Sequence, residues 1–223
     1  MKQGSFILIP GAGGVTWPWH LVVPLLEQRG HEAIAVDLPG DDPRAGLREY
    51  ADLVLAAIGG RRDVVLVAQS LGGFTAPLVC ARAPIGKLVF VNAMIPRPGE
   101  TAGAWWGNTG AVQAREEAAK RGGWPRAFDA HTYFLHDVPA ETLRGAPPPR
   151  EQADRVFADR CDFERWPAVP IRVVAGADDR FFPLDFQRRI ARERLGKEIT
   201  VIPGGHLLGL ANPAGLADEL RQG

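Results

Sequence analysis

One stretch of the chain determines the fold: Val67-Ala68-Gln69-Ser70-Leu71-Gly72-Gly73. An apolar, β-branched run over 63–68 leads into it, as a strand buried on both faces requires, and a helical pattern over 71–83 follows it. A serine flanked two positions away on each side by a small residue fits the sharp strand-to-helix turn that exposes a nucleophile. Larger side chains at Ala68 and Gly72 would collide in such a turn.

On both sides of this stretch, short apolar runs alternate with helical patterns, which is typical of a parallel sheet covered by helices. The predicted strands span 6–9, 33–37, 63–68, 87–92, 171–175 and 198–202. The predicted helices span 20–28, 47–58, 71–83, 111–121, 124–133, 150–157, 184–195 and 213–221. We therefore predict an α/β fold with a doubly wound, mostly parallel six-stranded sheet. Ligands bind such sheets beyond the carboxyl ends of the strands.

The segment from about 96 to 169 interrupts this alternation. It contains Trp105, Trp106, Trp124 and Trp166, together with the run Pro147-Pro148-Pro149. It is too long for an ordinary loop and too apolar for a disordered linker. We predict a single domain over residues 1–223 in which this segment forms a small helical lid.

The composition restricts the partners. The chain has 26 basic and 26 acidic residues, so no net charge favours nucleic acid, and we expect a small-molecule substrate instead. It shows neither a secretory signal nor an apolar run long enough for a bilayer, and Cys80 and Cys161 are expected to be reduced. These features predict a cytoplasmic protein without a membrane partner; the sequence leaves open whether it forms a homodimer.

Ser70 alone is equally well explained as a helix N-cap, so its role as a nucleophile depends on partners elsewhere in the chain. Asp178 and Asp179 follow the fifth predicted strand, and His206 follows two glycines after the sixth. A serine hydroxyl needs an imidazole to remove its proton, and the imidazole needs a carboxylate to orient it. The order Ser, Asp, His is the one used with this type of turn. We predict Ser70 as nucleophile, His206 as base and one of the two aspartates as the orienting acid.

The glycine-rich stretch Pro10-Gly11-Ala12-Gly13-Gly14 follows the first predicted strand. Negative charge that develops during acyl transfer needs two backbone N–H donors, and we predict those of Leu71 and Ala12. A glycine-rich loop after a first strand is also found in dinucleotide-binding proteins, but the G-x-G-x-x-G spacing is missing here. Asp37, at the end of the second strand, is followed by a Leu-Pro-Gly turn. We predict no cofactor and no metal site.

Taken together, the motifs resemble the α/β-hydrolase superfamily over essentially the whole chain. The resemblance rests on residues 10–14, 36–40, 69–73, 176–183 and 203–206. It implies the form of the fold that lacks the first two strands and is closest to the plant-type esterase and hydroxynitrile lyase branch. In this family the acid lies three residues after the glycine and four before the proline of the motif at 176–183, which selects Asp179.

The chain departs from the family pattern at two positions. Pro10 stands where the family often has a histidine before the oxyanion glycine. His206 is followed by Leu207, whereas the hydroxynitrile lyases of this branch have a lysine shortly after the histidine, which argues against cyanohydrin cleavage.

The motifs therefore predict a serine hydrolase that cleaves a small or medium apolar carboxylic ester through an acyl-enzyme. Two alternatives stay open: the same residues acting on a lactone, thioester, amide or carbon–carbon bond, and a non-catalytic relative that binds a small molecule. The aromatic residues of the insertion serve either the pocket or the core of the insertion. The predicted pocket residues are Gly11, Asn92, Met94, Trp105, Trp106, His136 and Phe182.

Overall fold

Six parallel strands form one sheet in the computed structural model, which describes residues 4–222. The order of the strands is β2-β1-β3-β4-β5-β6, and every neighbouring pair is parallel. The strands are β1 (Ser5–Ile9), β2 (Glu32–Ala35), β3 (Val65–Gln69), β4 (Lys87–Val91), β5 (Ile171–Gly176) and β6 (Thr200–Ile202). The predicted fold class is confirmed.

Helices connect the strands and cover both faces of the sheet. They are α1 (Val22–Glu27), α2 (Leu47–Ile58), α3 (Gly72–Cys80), α4 (Ala102–Thr109), α5 (Ala111–Gly122), α6 (Ala140–Leu143), α7 (Arg155–Ala158), α8 (Leu184–Leu195), α9 (Leu208–Ala211) and α10 (Pro213–Arg221). A 3₁₀ turn covers Trp17–Trp19, and a π turn covers His131–Leu135.

The sheet has a hydrophobic core on each face. In β1, Ile7 and Ile9 pack with the buried residues of α2, α3 and α8, whereas Phe6 and Leu8 pack with those of α1 and α10. All four side chains are buried. A strand covered on both faces needs apolar residues at every position, which explains why the strands appear in the sequence as continuous apolar runs.

The strand order places the loops of interest at one end of the sheet. From β1 the chain passes outward to β2 and then returns to pair β3 on the other side of β1. The loops after β1 and β3 therefore diverge and leave a crevice at the carboxyl ends of these strands, where ligands bind in open sheets. Ser70 follows β3, and the glycine-rich stretch 10–14 follows β1.

The segment between β4 and β5 differs in part from the prediction. The predicted helix over 124–133 is wrong, since residues 124–129 are irregular and the π turn begins at His131. The predicted helix over 150–157 is reduced to α7. Residues 150–153 are not helical because they bond to another part of the chain; for example, the Ala153 N–H donates to the Gly40 carbonyl across 2.7 Å. Whether the segment acts as a lid stays a prediction.

Both cysteines are free thiols. Cys161 is fully buried, and its Sγ donates to the Phe74 carbonyl at 3.1 Å. Burial raises the pKa of both thiols, that of Cys80 to about 12. Neither therefore forms the reactive thiolate at neutral pH. Within residues 4–222, no helix is long and apolar enough to cross a membrane, and no group of three or more His, Cys, Asp or Glu side chains is placed to hold a metal ion.

Candidate active site

Ser70 lies in a strained turn between β3 and α3. Its φ of 50° belongs to the left-handed region, which a residue other than glycine rarely adopts. The neighbouring glycines are required by space: a Cβ on Gly72 would lie 2.5 Å from the Pro10 carbonyl oxygen, and one on Gly73 would lie 2.0 Å from that of Met94. The turn thus presents the Ser70 side chain at the carboxyl end of the sheet.

His206 contacts both of its predicted partners. Its Nε2 is 3.1 Å from Ser70 Oγ, and its Nδ1 is 3.0 Å from Asp179 Oδ2. The neighbouring Asp178 is exposed and instead accepts the Gly204 N–H at 3.2 Å. The three side chains that the sequence selected from three different strand ends therefore form one continuous hydrogen-bonded series.

The Asp179 carboxylate is buried and surrounded by donors. Its Oδ1 accepts the backbone N–H groups of Phe181 and Phe182 at 2.8 and 2.9 Å, and its Oδ2 accepts the side-chain amide of Gln187 at 3.2 Å. Because hydrogen bonds to a carboxylate favour its charged form, this arrangement is suited to holding a negative charge beside the imidazole of His206.

Aromatic rings enclose His206. The Phe134 ring stacks on the imidazole at 4.9 Å, and the rings of Phe181 and Phe182 meet it edge to face at 5.0 and 5.3 Å. The backbone is held as well, because Asn92 Nδ2 donates to the carbonyl oxygen of His206 at 3.0 Å. These contacts restrict the imidazole to the orientation that faces Ser70.

Two backbone N–H groups in the loops around Ser70 are left without a partner among residues 4–222. No hydrogen bond within residues 4–222 uses the N–H of Ala12 or that of Leu71. The loop that carries Ala12 lies against the nucleophile, since a Cβ on Gly11 would be only 2.9 Å from Ser70 Cβ. These are the two donors that the sequence predicts for an oxyanion.

A cavity of about 490 Å³ opens beside Ser70 and His206. Its apolar lining comes from the loops after β1 and β6 and from the segment between β4 and β5: Ala12, Val15, Trp17, Pro18, Phe128, Ala130, Phe134, Leu135, Leu143, Ala146, Pro147, Pro148, Pro149 and Leu207. The charged side chain that lines it, Arg150, is paired with Asp37 at 3.3 Å. The cavity therefore suits an apolar, uncharged molecule. A larger cavity, of about 810 Å³, lies next to α2 and α7 and includes none of the residues of the series.

Of the predicted pocket residues, Gly11 lines this cavity and six others do not. Four of these six are buried in the interior: Asn92, Met94, Trp105 and Phe182. Trp106 packs on the rings of Phe181 and Phe182, and His136 contacts the Asp178 carbonyl at 3.2 Å. The structure therefore places these six residues outside the lining of this cavity, and Asn92, at the end of β4, bonds to the loop of the base.

Sequence reasoning missed several residues of the site. Phe128, in the segment predicted as a helix, and Phe134, one of the aromatic residues of the insertion, line the cavity although neither was among the predicted pocket residues. Gln187, which contacts Asp179, follows it by eight residues on α8, and only the turn between them brings the two together. The proline run 147–149 was visible in the sequence, yet its place in the cavity wall depends on tertiary contacts.

The chain is similar to known hydrolases. The family model described as "Alpha/beta hydrolase family" matches residues 6–219. Polyneuridine aldehyde esterase from Rauvolfia serpentina is 36% identical over 109 residues, which are 44% of this chain and 41% of that enzyme. Alpha-hydroxynitrile lyase from Arabidopsis thaliana is 26% identical, with 98% of this chain and 96% of that protein covered.

The fold is also found among solved structures. The crystal structure of a pyrethroid hydrolase from Sphingobium faniae JZ-2 superimposes with a TM-score of 0.78 at 22% identity and covers 98% of this chain and 96% of that one. At this identity, the likeness supports the fold alone. The match to the Rauvolfia esterase spans only about two fifths of that relative's length, so its activity is not transferred by the match itself.

Proposed function

The chain belongs to the alpha/beta hydrolase family, and from the geometry at Ser70 we propose that it is a serine hydrolase that cleaves small or medium apolar carboxylic esters through an acyl-enzyme. The observation that carries this proposal is the series from Ser70 Oγ through His206 to Asp179, with contacts of 3.1 and 3.0 Å. A buried serine, imidazole and carboxylate in this order can generate a nucleophile at neutral pH.

In the first half of the proposed reaction, Ser70 Oγ attacks the carbonyl carbon of the ester while His206 Nε2 takes its proton. The carbonyl electron pair moves to the oxygen, which accepts the N–H groups of Ala12 and Leu71. As the tetrahedral intermediate collapses, the bond to the alcohol breaks and His206 returns the proton to the leaving oxygen. Asp179 stabilises the imidazolium that exists between the two proton transfers.

In the second half, water takes the place of the alcohol. His206 Nε2 removes a proton from the water as its oxygen attacks the acyl carbon, and the same N–H groups stabilise the oxyanion. The bond between the acyl carbon and Ser70 Oγ then breaks, and Oγ receives the proton from His206. The products are a carboxylic acid and the free enzyme.

The lining of the cavity supports the apolar ester as substrate. Mostly apolar residues surround a volume of about 490 Å³, and the guanidinium of Arg150 already bonds to Asp37 and to the Leu38 carbonyl. A charged substrate would therefore lose its hydration without gaining a free partner. The Rauvolfia esterase among the relatives fits this class of reaction.

The proposal is tested with the purified protein, a fluorophosphonate probe and a panel of p-nitrophenyl esters with acyl chains of increasing length. We expect labelling of the wild-type protein and turnover of short and medium esters. Ser70→Ala is expected to lose both labelling and turnover. Ser5→Ala, in which the lost hydroxyl bonds to Glu32 outside the site, serves as the matched control and is expected to retain both. Full turnover by Ser70→Ala contradicts the proposal.

A second candidate is cyanohydrin cleavage, because the Arabidopsis lyase is similar over 98% of the chain. The described residues that line the cavity include no lysine, and Leu207 follows His206, which favours the ester. Mandelonitrile, a lactone, a thioester and an amide complete the substrate panel. Turnover of one of these without turnover of any ester would replace the proposed substrate, and absence of both labelling and turnover would favour a small-molecule-binding protein.

A further inference from the structure

The oxyanion loop (residues 10–14) is held by a residue from a distant part of the chain. Gln152, which precedes α7, accepts the Gly13 N–H on its Oε1 at 3.0 Å. Its Nε2 donates to the carbonyl oxygen of Gly40 at 3.0 Å and to Tyr50 Oη at 3.2 Å. We infer that Gln152 is a positioning residue that fixes the oxyanion loop for catalysis; this inference rests on the proposed function.

The partners of Gln152 determine which way its amide points. Gly40 offers a carbonyl oxygen, which only accepts, and Gly13 offers an N–H, which only donates. Turning the amide over would bring its NH₂ against the N–H of Gly13 and its oxygen against the oxygen of Gly40. Only the observed orientation satisfies both groups, so Oε1 is held towards the loop.

Because of this contact, the N–H groups of Gly13 and Ala12 have different roles. The N–H of Gly13 is occupied by Gln152, whereas that of Ala12 has no partner within residues 4–222. A loop tied down at Gly13 keeps the preceding N–H directed at the site without a rearrangement during the reaction. Electrostatic stabilisation of a transition state depends on such donors being fixed in advance.

Gln152 belongs to a segment, residues 147–153, which we call the strap. Other residues of the strap also contact the oxyanion loop. The Arg150 carbonyl oxygen packs so closely that a Cβ on Gly13 would lie 2.6 Å from it. Gly40 is also close, since a Cβ on Gly40 would lie 2.3 Å from the Gly13 carbonyl oxygen. Arg150 also donates to the Leu38 carbonyl at 2.7 Å. Gly13 is thus enclosed between the strap and the turn after β2.

Pro10 explains why outside support is needed. Its side chain has no polar group, so the residue before the oxyanion glycine provides no hydrogen bond to hold the loop. The strap supplies the missing contact. Because Pro147 to Pro149 of this strap also form part of the cavity wall, the segment that contacts substrate is the one that orients the oxyanion loop.

Two variants of Gln152 and a matched control test the inference. Gln152→Met keeps the length of the side chain and removes both hydrogen-bonding functions, whereas Gln152→Glu keeps an acceptor for the Gly13 N–H. Gln113, exposed on α5 and bonded to Glu117, provides the control Gln113→Met. For each protein we measure kcat and KM for the best ester, inhibition by a boronic acid transition-state analogue, and amide hydrogen exchange of the peptide that contains residues 10–14.

Removal of one oxyanion donor lowers kcat roughly a hundredfold or more, and a displaced donor should cost less, so we expect Gln152→Met to lower kcat about tenfold to fiftyfold. KM should change less than twofold, and binding of the boronic acid should weaken in proportion to kcat. Exchange of the loop peptide should become faster. Gln152→Glu should recover only part of the loss, because it keeps the acceptor for the Gly13 N–H but sets its second oxygen against the Gly40 carbonyl oxygen. Gln113→Met should match the wild type in every measurement.

The inference is overturned if Gln152→Met retains wild-type kcat and wild-type exchange of the loop peptide. It is also overturned if both Gln152 variants lose kcat equally while exchange at 10–14 stays unchanged, because the loss of kcat would then not arise from the oxyanion loop. The exchange measurement needs no turnover. If the fluorophosphonate did not label Ser70 of the wild type, the proposed function would be overturned. The effect of Gln152 on the loop would still be measured by amide hydrogen exchange.

Discussion

Gln187 donates its side-chain N–H to Oδ2 of Asp179 across 3.2 Å, and this is the same oxygen that lies 3.0 Å from His206 Nδ1. The Gln187 amide nitrogen also contacts the Phe182 carbonyl at 2.7 Å and Asn92 Oδ1 at 3.2 Å. The first turn of α8 thereby helps to fix the carboxylate oxygen that faces His206. Gln187 orients the acid and does not itself reach the cavity.

Replacing Gln187 by leucine is expected to lower kcat about tenfold with KM unchanged, because one hydrogen bond to a charged group contributes about 1.5 kcal/mol or more. Asp179 keeps its two backbone donors, so activity should fall without disappearing. Gln187→Glu should lose more, since a second carboxylate would face the first. Steady-state kinetics with thermal unfolding of each variant provide the measurement. Equal kcat in the wild type and both variants would assign Gln187 to packing only.

Asn92 connects the loops that carry the acid and the base, and its removal should destabilise the protein. Its Oδ1 accepts the Gly176 N–H at 2.8 Å, and its Nδ2 donates to the Gly205 carbonyl at 2.9 Å. Asn92→Ala leaves these buried groups without partners, which costs about 1 to 3 kcal/mol for each group. We expect the free energy of unfolding, measured with urea, to fall by about 3 kcal/mol or more.

A second variant separates the strain at Asn92 from its hydrogen bonds. The residue has a φ of 43°, which glycine adopts without cost. Asn92→Gly should therefore be more stable than Asn92→Ala by about 1 kcal/mol while remaining below the wild type. If Asn92→Gly recovered the full wild-type stability, strain and not hydrogen bonding would account for the loss.

The buried pair of Glu100 and Arg194 makes stability dependent on pH. Burial opposes the charged form of Glu100, but hydrogen bonds from Arg194, Asn108 and the Arg97 backbone, together with the charge of Arg194, outweigh it and hold the pKa of this carboxyl below its ordinary value of 4.5. The folded state therefore binds the proton of Glu100 less readily than the unfolded state. The stabilisation is present above pH 4.5 and is lost as the pH falls through the lowered pKa.

Urea denaturation from pH 7 to pH 3 tests this dependence with Glu100→Gln as the comparison. At pH 7 the variant leaves the buried Arg194 unpaired and should be less stable by about 3 kcal/mol. The difference between the two proteins should begin to shrink below about pH 4.5, where Glu100 of the unfolded wild type takes up a proton, and should keep shrinking until the folded carboxyl is protonated as well. A difference that stays constant down to pH 3 would mean that folding does not lower the pKa of Glu100.

The parts of the fold that could be predicted are those governed by local pattern. The runs 6–9 and 63–68 are apolar because both faces of the sheet are covered, and α2 shows its buried face at Leu47, Tyr50 and Val54 in helical spacing. Motifs at the strand ends indicated Ser70 and His206 because their chemistry requires particular residues in particular turns.

The remaining features depend on contacts between distant residues. Residues 150–153 have a helical pattern in the sequence. In the structure, however, the side-chain amide of Gln152 and the backbone N–H of Ala153 both donate to the Gly40 carbonyl, and no helix forms there. Asn92 was expected in the pocket because it follows a strand, but β4 lies in the middle of the sheet, where the loops of the acid and the base cover its end. A local sequence pattern does not indicate which strand ends will be covered by loops from other parts of the chain.

Asp178 and Asp179 provide a matched pair for the role of the acid. Asp179→Asn keeps the shape of the side chain but presents an amide to His206 Nδ1, so the imidazole is no longer held with Nε2 free to accept the Ser70 proton. We expect kcat to fall by about a thousandfold or more, with the larger part of the loss in kcat and not in KM. Labelling of Ser70 by the fluorophosphonate should slow in parallel.

Asp178→Asn is the control, because this exposed carboxylate accepts only the Gly204 N–H and does not contact the imidazole. The amide oxygen of the asparagine can accept the same N–H, so kcat should stay within about threefold of the wild type. This limit corresponds to a change of about 0.6 kcal/mol in the activation free energy. The two variants differ by one position and by the same chemical change. If they lost activity equally, the base would be oriented by neither carboxylate specifically, and the contact between Asp179 and His206 would not account for catalysis.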